Sequence, residues 1–210
     1  MTNASDSFDW NMFKELLKKV ITFKTKTSFI YVNADNWEEA IVLALKKMNE
    51  TPEWELGSHA KGADVKTKKF AISAKSGSVS DGYLTISSYR LTRYGSIKEM
   101  NAFIIGEINY DYYLCCAREE TRDGGRAYTV YLIDSSVFKP SVGDWHAFQN
   151  KHNKEAGYKC SLSNGTEGRI VYNMSNQLWI DIPLTLCKKL FEVRFRANEI
   201  GSDLDKIFET

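Results

Sequence analysis

The chain of 210 residues is expected to form one α/β domain, a mixed and mostly antiparallel sheet flanked by helices. Three observations predict this. Two amphipathic helical segments open the chain, the later half is rich in short Tyr, Val, Ile and Leu runs, and no repeat, low-complexity tract or Pro/Gly-rich linker divides it. Hydrophobic residues at 43% and charged residues at 26% exclude a disordered chain.

Phe8, Met12, Phe13, Leu16, Leu17 and Val20 recur at helical spacing, and Ile41, Val42, Leu45 and Met48 repeat the pattern within 35–48, with Asp35 as the expected cap. Thr22 to Val32 between them reads as an irregular or extended linker. A Gly- and Lys-rich stretch, 57–69, leads into a strand over 70–75 and a Gly/Ser turn over 76–82. Ser96 and Glu99 form an S-x-x-E capping box ahead of Ile97, Met100, Phe103 and Ile104, which predicts a third helix. Segments 110–117, 127–133, 168–173 and 177–182 read as strands, and Pro183 is placed to start a closing helix carrying Leu184, Leu186, Leu190 and Phe191.

Composition narrows the function. No apolar run approaches the roughly 18 residues of a membrane span, and Asp6 and Asp9 stand where a secretory leader needs Lys or Arg, so the expected compartment is the cytoplasm. Cys115, Cys116, Cys160 and Cys187 lack C-x-x-C spacing, which signals neither a zinc site nor a disulfide framework. The net charge is +1, yet residues 61–98 hold eight Lys or Arg against two Asp, while residues 99–144 hold four against eight acids. That polarity fits one phosphate-facing surface and one repulsive face.

The same basic region contains the pattern most suited to chemistry: Gly57-Ser-His-Ala-Lys61-Gly62-Ala-Asp64, followed by Ser73-Ala74-Lys75. With Asp64 at the end of one strand and Ser73-x-Lys75 on the next antiparallel one, residues 73 and 75 project on one face beside the carboxylate. Asp64 and the carbonyl of Ala74 are hard oxygen donors suited to Mg2+, and Lys75 can orient a water and stabilise phosphate charge.

This stretch resembles the PD-(D/E)xK nucleases, and its phrasing looks most like the type II restriction endonucleases. The resemblance implies a PD-(D/E)xK nuclease-like core, a Mg2+-dependent, sequence-specific endonuclease acting on double-stranded DNA, and a homodimer. One departure stands out: Ser73 occupies the place where the family most often has Glu or Asp. Some members bring that carboxylate from elsewhere, so Glu39, similar to the N-terminal helix glutamate of part of the family, is the first choice as second acid and metal ligand. Glu99 is the second choice, although it also serves the capping box. Lys61, Ser87, Ser88, Arg90 and Arg93 are the expected DNA contacts, because hydroxyls and arginines interleave over residues 84–94. Three alternatives stay open: a structure-selective repair or recombination nuclease, a DNA-binding module with a decayed site, and a β-rich interaction protein unrelated to DNA. Trp54, Trp145 and Trp179 are expected in the core, and 146–169 as a polar loop or hairpin.

Overall fold

The structure, a computed structural model, describes residues 8–54, 63–149 and 151–204. Its elements in chain order are α1 (Trp10–Lys26), α2 (Ala34–Lys47), β1 (Val65–Lys66), β2 (Ala71–Ser80), β3 (Tyr83–Arg90), α3 (Ile97–Glu107), β4 (Tyr112–Glu120), β5 (Arg126–Asp134), β6 (Trp145–Gln149), β7 (Glu155–Ser161), β8 (Glu167–Val171), β9 (Gln177–Pro183) and β10 (Lys188–Phe195).

The ten strands form one sheet in the order β10-β5-β4-β2-β3-β9-β8-β7-β6, with β1 also paired to β2. β2 and β4 run parallel. The chain leaves the β2–β3 hairpin, crosses through α3 and returns as β4 on the far side of β2. The remaining pairs are antiparallel. The mixed α/β architecture is therefore the one expected.

Each face of the sheet has its own core. On one face Phe13, Leu17 and Ile21 of α1 and Trp37, Ile41 and Leu45 of α2 bury against Ile72, Leu114, Tyr128 and Val193. On the other, Met100 and Ile104 of α3 join Leu84, Ile86, Tyr113, Ile133, Phe138 and Ile180. β4 and β5 are covered on both faces, so β5 is buried along nearly its whole length and β4 over Tyr113–Ala117, whereas β9 alternates, with Leu178, Ile180 and Ile182 buried. Among the described residues the α1/α2 core takes none from β3 or β6–β9, and none of the described helices lies on that half of the face. Its side chains are the polar alternates of the strands, Thr85, Ser87, Trp179, Asp181 and Arg169 among them.

Several boundaries differ from the sequence reading, each for a physical reason. α1 continues through Lys26 because Phe13, Leu17, Ile21 and Thr25 extend one buried stripe at i+4 spacing, so residues 22–26 are helix and not linker. α2 starts one residue before Asp35, and its cap is Asn33, whose side chain accepts from the Asn36 amide at 3.3 Å. β2 runs to Ser80, and the hairpin closes on Asp81 and Gly82 alone, at φ of 51° and 81°, in place of a turn over 76–82. α3 begins at the capping box as expected, with Glu99 accepting from the Ser96 amide and Ser96 from the Glu99 amide. The closing segment is not a helix. After a short 3-10 turn, Leu184–Leu186, it becomes edge strand β10, with Phe191, Val193 and Phe195 buried against β5 and the α1/α2 core. The 146–169 segment forms β6, β7 and the start of β8.

Buried polar groups tie the layers together. The Trp37 indole N–H donates to the Leu114 carbonyl at 2.8 Å. The Arg126 guanidinium donates to the Phe29 carbonyl at 2.7 Å and lies over the Tyr31 ring at 3.8 Å, fixing the α1–α2 connection to the end of β5. At Gly168 the approach is too close for any side chain, since an added Cβ would sit 2.6 Å from Phe138 Cζ and 2.8 Å from Cys160 Sγ. Gly168→Ala is expected to destabilise the protein by about 1–3 kcal/mol through overpacking, measured by denaturant unfolding.

Candidate functional site

The β2–β1 ladder stops at Ile72↔Val65, with the Asp64 amide still bonded to the Ile72 carbonyl at 2.9 Å, and the β2–β3 ladder begins only at Gly77↔Ile86. Between Ser73 and Ser76 this edge of β2 has no strand beside it among the described residues. The Asp64 side chain enters the gap: its Oδ2 accepts from the Ala74 amide at 2.7 Å, from Ser73 Oγ at 3.1 Å and from Lys75 Nζ at 3.3 Å. A backbone N–H that would otherwise lack a ladder acceptor is thus satisfied by a carboxylate. Because N–H and C=O of one residue point to the same side of a strand, the Ala74 carbonyl faces this gap as well.

Asp64, Ser73 and Lys75 lie on the α3 face, because Ile72 and Ala74 between them bury in the α1/α2 core. The pair is shielded but reachable, Lys75 being 17% and Asp64 21% exposed at the side chain. Lys75 is in register with Cys115 of β4 and Ser73 with Tyr113. Burial pushes the Cys115 thiol well above its ordinary range, with Cys116 held up to about 12 for the same reason, so neither is a nucleophile at neutral pH. All four cysteines are free thiols.

Three tyrosines line the α3 side of the site. Burial raises Tyr110 and Tyr113 far above the usual phenol range. Tyr89 is pushed up to about 12, chiefly by burial, with a partial offset from the neighbouring Tyr110 hydroxyl and further increments from the charges of Glu107 and Asp64. The Tyr89 hydroxyl lies 3.5 Å from the backbone carbonyl oxygen of Glu107, the last residue of α3.

The acids chosen from the sequence are placed elsewhere. Glu39 stands on α2, in the helix layer of the opposite face, and its carboxylate pairs with Lys24 of α1. Its neighbour Glu38 accepts from the Trp54 indole at 3.2 Å. Glu99 Oε2 is taken by the Gly95 and Ser96 amides at 3.0 and 3.1 Å. Among the described residues no group of three or more His, Cys, Asp or Glu comes together.

The expected DNA contacts separate. Lys61 lies outside the described residues. Past Ile86 strand β3 bulges between Ser87 and Arg90 and pairs only with β9. Ser87 and Arg90 consequently line the helix-free face with Gln177 and Trp179, and Arg90 Nε contacts Gln177 Oε1 at 3.4 Å. The Ser88 hydroxyl oxygen is buried, with no partner among the described residues, and presents nothing to solvent. Arg93 lies over the rings of Tyr94 and Phe103 on the α3 side, at 5.0 and 4.8 Å. Trp145 is core as expected, but Trp179 lines the open face.

A phenol whose pKa is raised on folding holds its proton more tightly in the native state. Its contribution to stability is complete below the ordinary value of 10 and is lost as pH climbs through about 12. Stability measured by urea unfolding is expected to fall across that window, and Tyr89→Phe is expected to flatten part of the fall.

Comparisons with protein-family models, with curated proteins and with solved structures gave no match to this chain.

Proposed function

We propose that the chain is a Mg2+-dependent DNA endonuclease whose site is the Asp64–Ser73–Ala74–Lys75 cluster. The observation that carries this reading is the convergence, in a gap between two ladders, of a carboxylate, a strand carbonyl and an ammonium held at 3.3 Å from the carboxylate. The donors are all oxygen, which suits a hard divalent cation and not zinc. Asp64 and the Ala74 carbonyl would hold the ion. When bound, Mg2+ supplies Lewis-acid polarisation of a phosphate and a lowered pKa for its coordinated water.

The chain's own residues have separate tasks. Ser73 and the Ala74 amide fix the orientation of the Asp64 carboxylate through Oδ2, so the group is positioned before any substrate arrives. Lys75 carries a positive charge at the place where a phosphate accumulates negative charge in an in-line displacement, and there it stabilises the transition state more than the ground state. The double-stranded substrate, the recognition of a particular sequence and the homodimer form part of the same proposal, with the basic excess of residues 61–98 as the source of phosphate affinity.

One observation favours a second reading, a DNA-binding module without catalysis: Asp64 Oδ2 already accepts three donors. Calorimetric titration with Mg2+ separates the two. The nuclease reading expects binding that Asp64→Asn abolishes, and the module expects none.

Asp64→Asn keeps an acceptor for Ala74 while removing the charge, and Lys75→Ala removes the ammonium. Each is expected to lower the cleavage rate of plasmid DNA by at least about a hundredfold with the thermal melt little changed. Wild-type cutting by both variants would overturn the assignment.

A further inference from the structure

Two buried polar atoms on the opposite side of the sheet, Ser76 Oγ and Trp179 Nε1, have no hydrogen-bond partner among the described residues. Such groups are rare because an unmade buried hydrogen bond is costly. Both residues line one cavity of about 290 Å3, bordered by Arg118 and by Asn33 and Ala34 at the start of α2. Through shared Ser87 and Trp179 it joins a second cavity of about 400 Å3 that reaches Arg90 and Gln177. The result is an open groove across this half of the α1/α2 face, with Ser87 and Trp179 shared by its two parts and an arginine in each.

The arginines are arranged to receive an anion. Arg118 lies over the Tyr31 ring at 4.1 Å, which holds the guanidinium plane in place, and no carboxylate lies within 4.0 Å of it among the described residues. Two acids stand nearby and are engaged elsewhere: Asp181 by Arg169 at 2.8 Å and the Thr85 hydroxyl at 2.6 Å, and Glu120 by the hydroxyl of Tyr31. Serine hydroxyls of β2 and β3 supply neutral donors between the two charges.

We propose that a single strand of nucleic acid lies in this groove, its phosphates at Arg118 and Arg90 and a base against Trp179. A track with an arginine in each part fits phosphates spaced along one backbone, and an indole between them fits stacking without sequence preference. The groove is on the other face of β2 from Asp64, and the assignment does not depend on the nuclease reading.

The test is fluorescence anisotropy of a labelled oligonucleotide of about twelve nucleotides, titrated with the whole protein in EDTA over a range of salt. Arg118→Ala and Arg90→Ala are each expected to reduce the slope of log K against log salt by about 1. Trp179→Ala is expected to weaken binding about tenfold. Ser76→Ala carries the sharpest outcome: removing an unpartnered buried hydroxyl leaves the melting temperature unchanged or higher, while affinity for the strand falls. Unchanged affinity in both Arg118→Ala and Ser76→Ala would overturn the proposal. So would a free mononucleotide matching the oligonucleotide, or a duplex of the same sequence binding more tightly than the strand. Because cleavage is never read, failure here is distinguishable from failure of the Asp64 assignment.

Discussion

Strand β2 is bonded on one edge to a parallel strand along most of its length and on the other to two separate partners that do not meet. A buried strand must find acceptors for its amides, and β1 ends before β3 begins, so something other than a ladder has to serve Ala74. The Asp64 carboxylate does so at 2.7 Å, and in doing so it is drawn between Ser73 and Lys75. The constraint that completes the sheet is therefore the one that assembles the candidate site. It also explains why a charged group is tolerated there: three donors, one of them a cation, compensate its desolvation.

The two faces of the sheet differ in what covers them, and that difference organises the rest of the surface. Helices α1 and α2 cover five strands of one face, β1, β2, β4, β5 and β10, and stop, leaving the polar alternates of β3, β8 and β9 in the open. On the other face α3, the crossover that leads to β4, packs Met100 and Ile104 against Tyr110, Tyr113 and Ile133. One sheet thus presents an acid–lysine site on one side and a groove of hydroxyls, indole and arginines on the other, separated by the thickness of a single strand layer.

Much of the architecture was legible because local rules and tertiary packing agree. The i+4 stripe of α1, the capping box of α3 and the apolar runs of β4 and β5 each state their element, and packing asks for the same one. The convergence of Ser73 and Lys75 beside Asp64 followed from the two-residue period of a strand. The tail shows where agreement fails. Leu184, Leu186, Leu190 and Phe191 carry a helical spacing, yet Phe191, Val193 and Phe195 alternate just beyond, and the free edge of β5 takes that alternation as a strand.

By itself the sequence determined that this is a mixed α/β chain with a basic region and one strand on which a lysine and a serine share a side, because those properties are written in periodicity and charge over a few residues. Only the tertiary structure decided which acid meets which base. Glu39 turns to Lys24 because α1 packs beside α2, and Arg90 reaches the open face because β3 bulges after Ser87 as it leaves β2 for β9. Those outcomes depend on the rotation of helices and the register of strands far apart in the chain, and no local pattern encodes an angle between two elements.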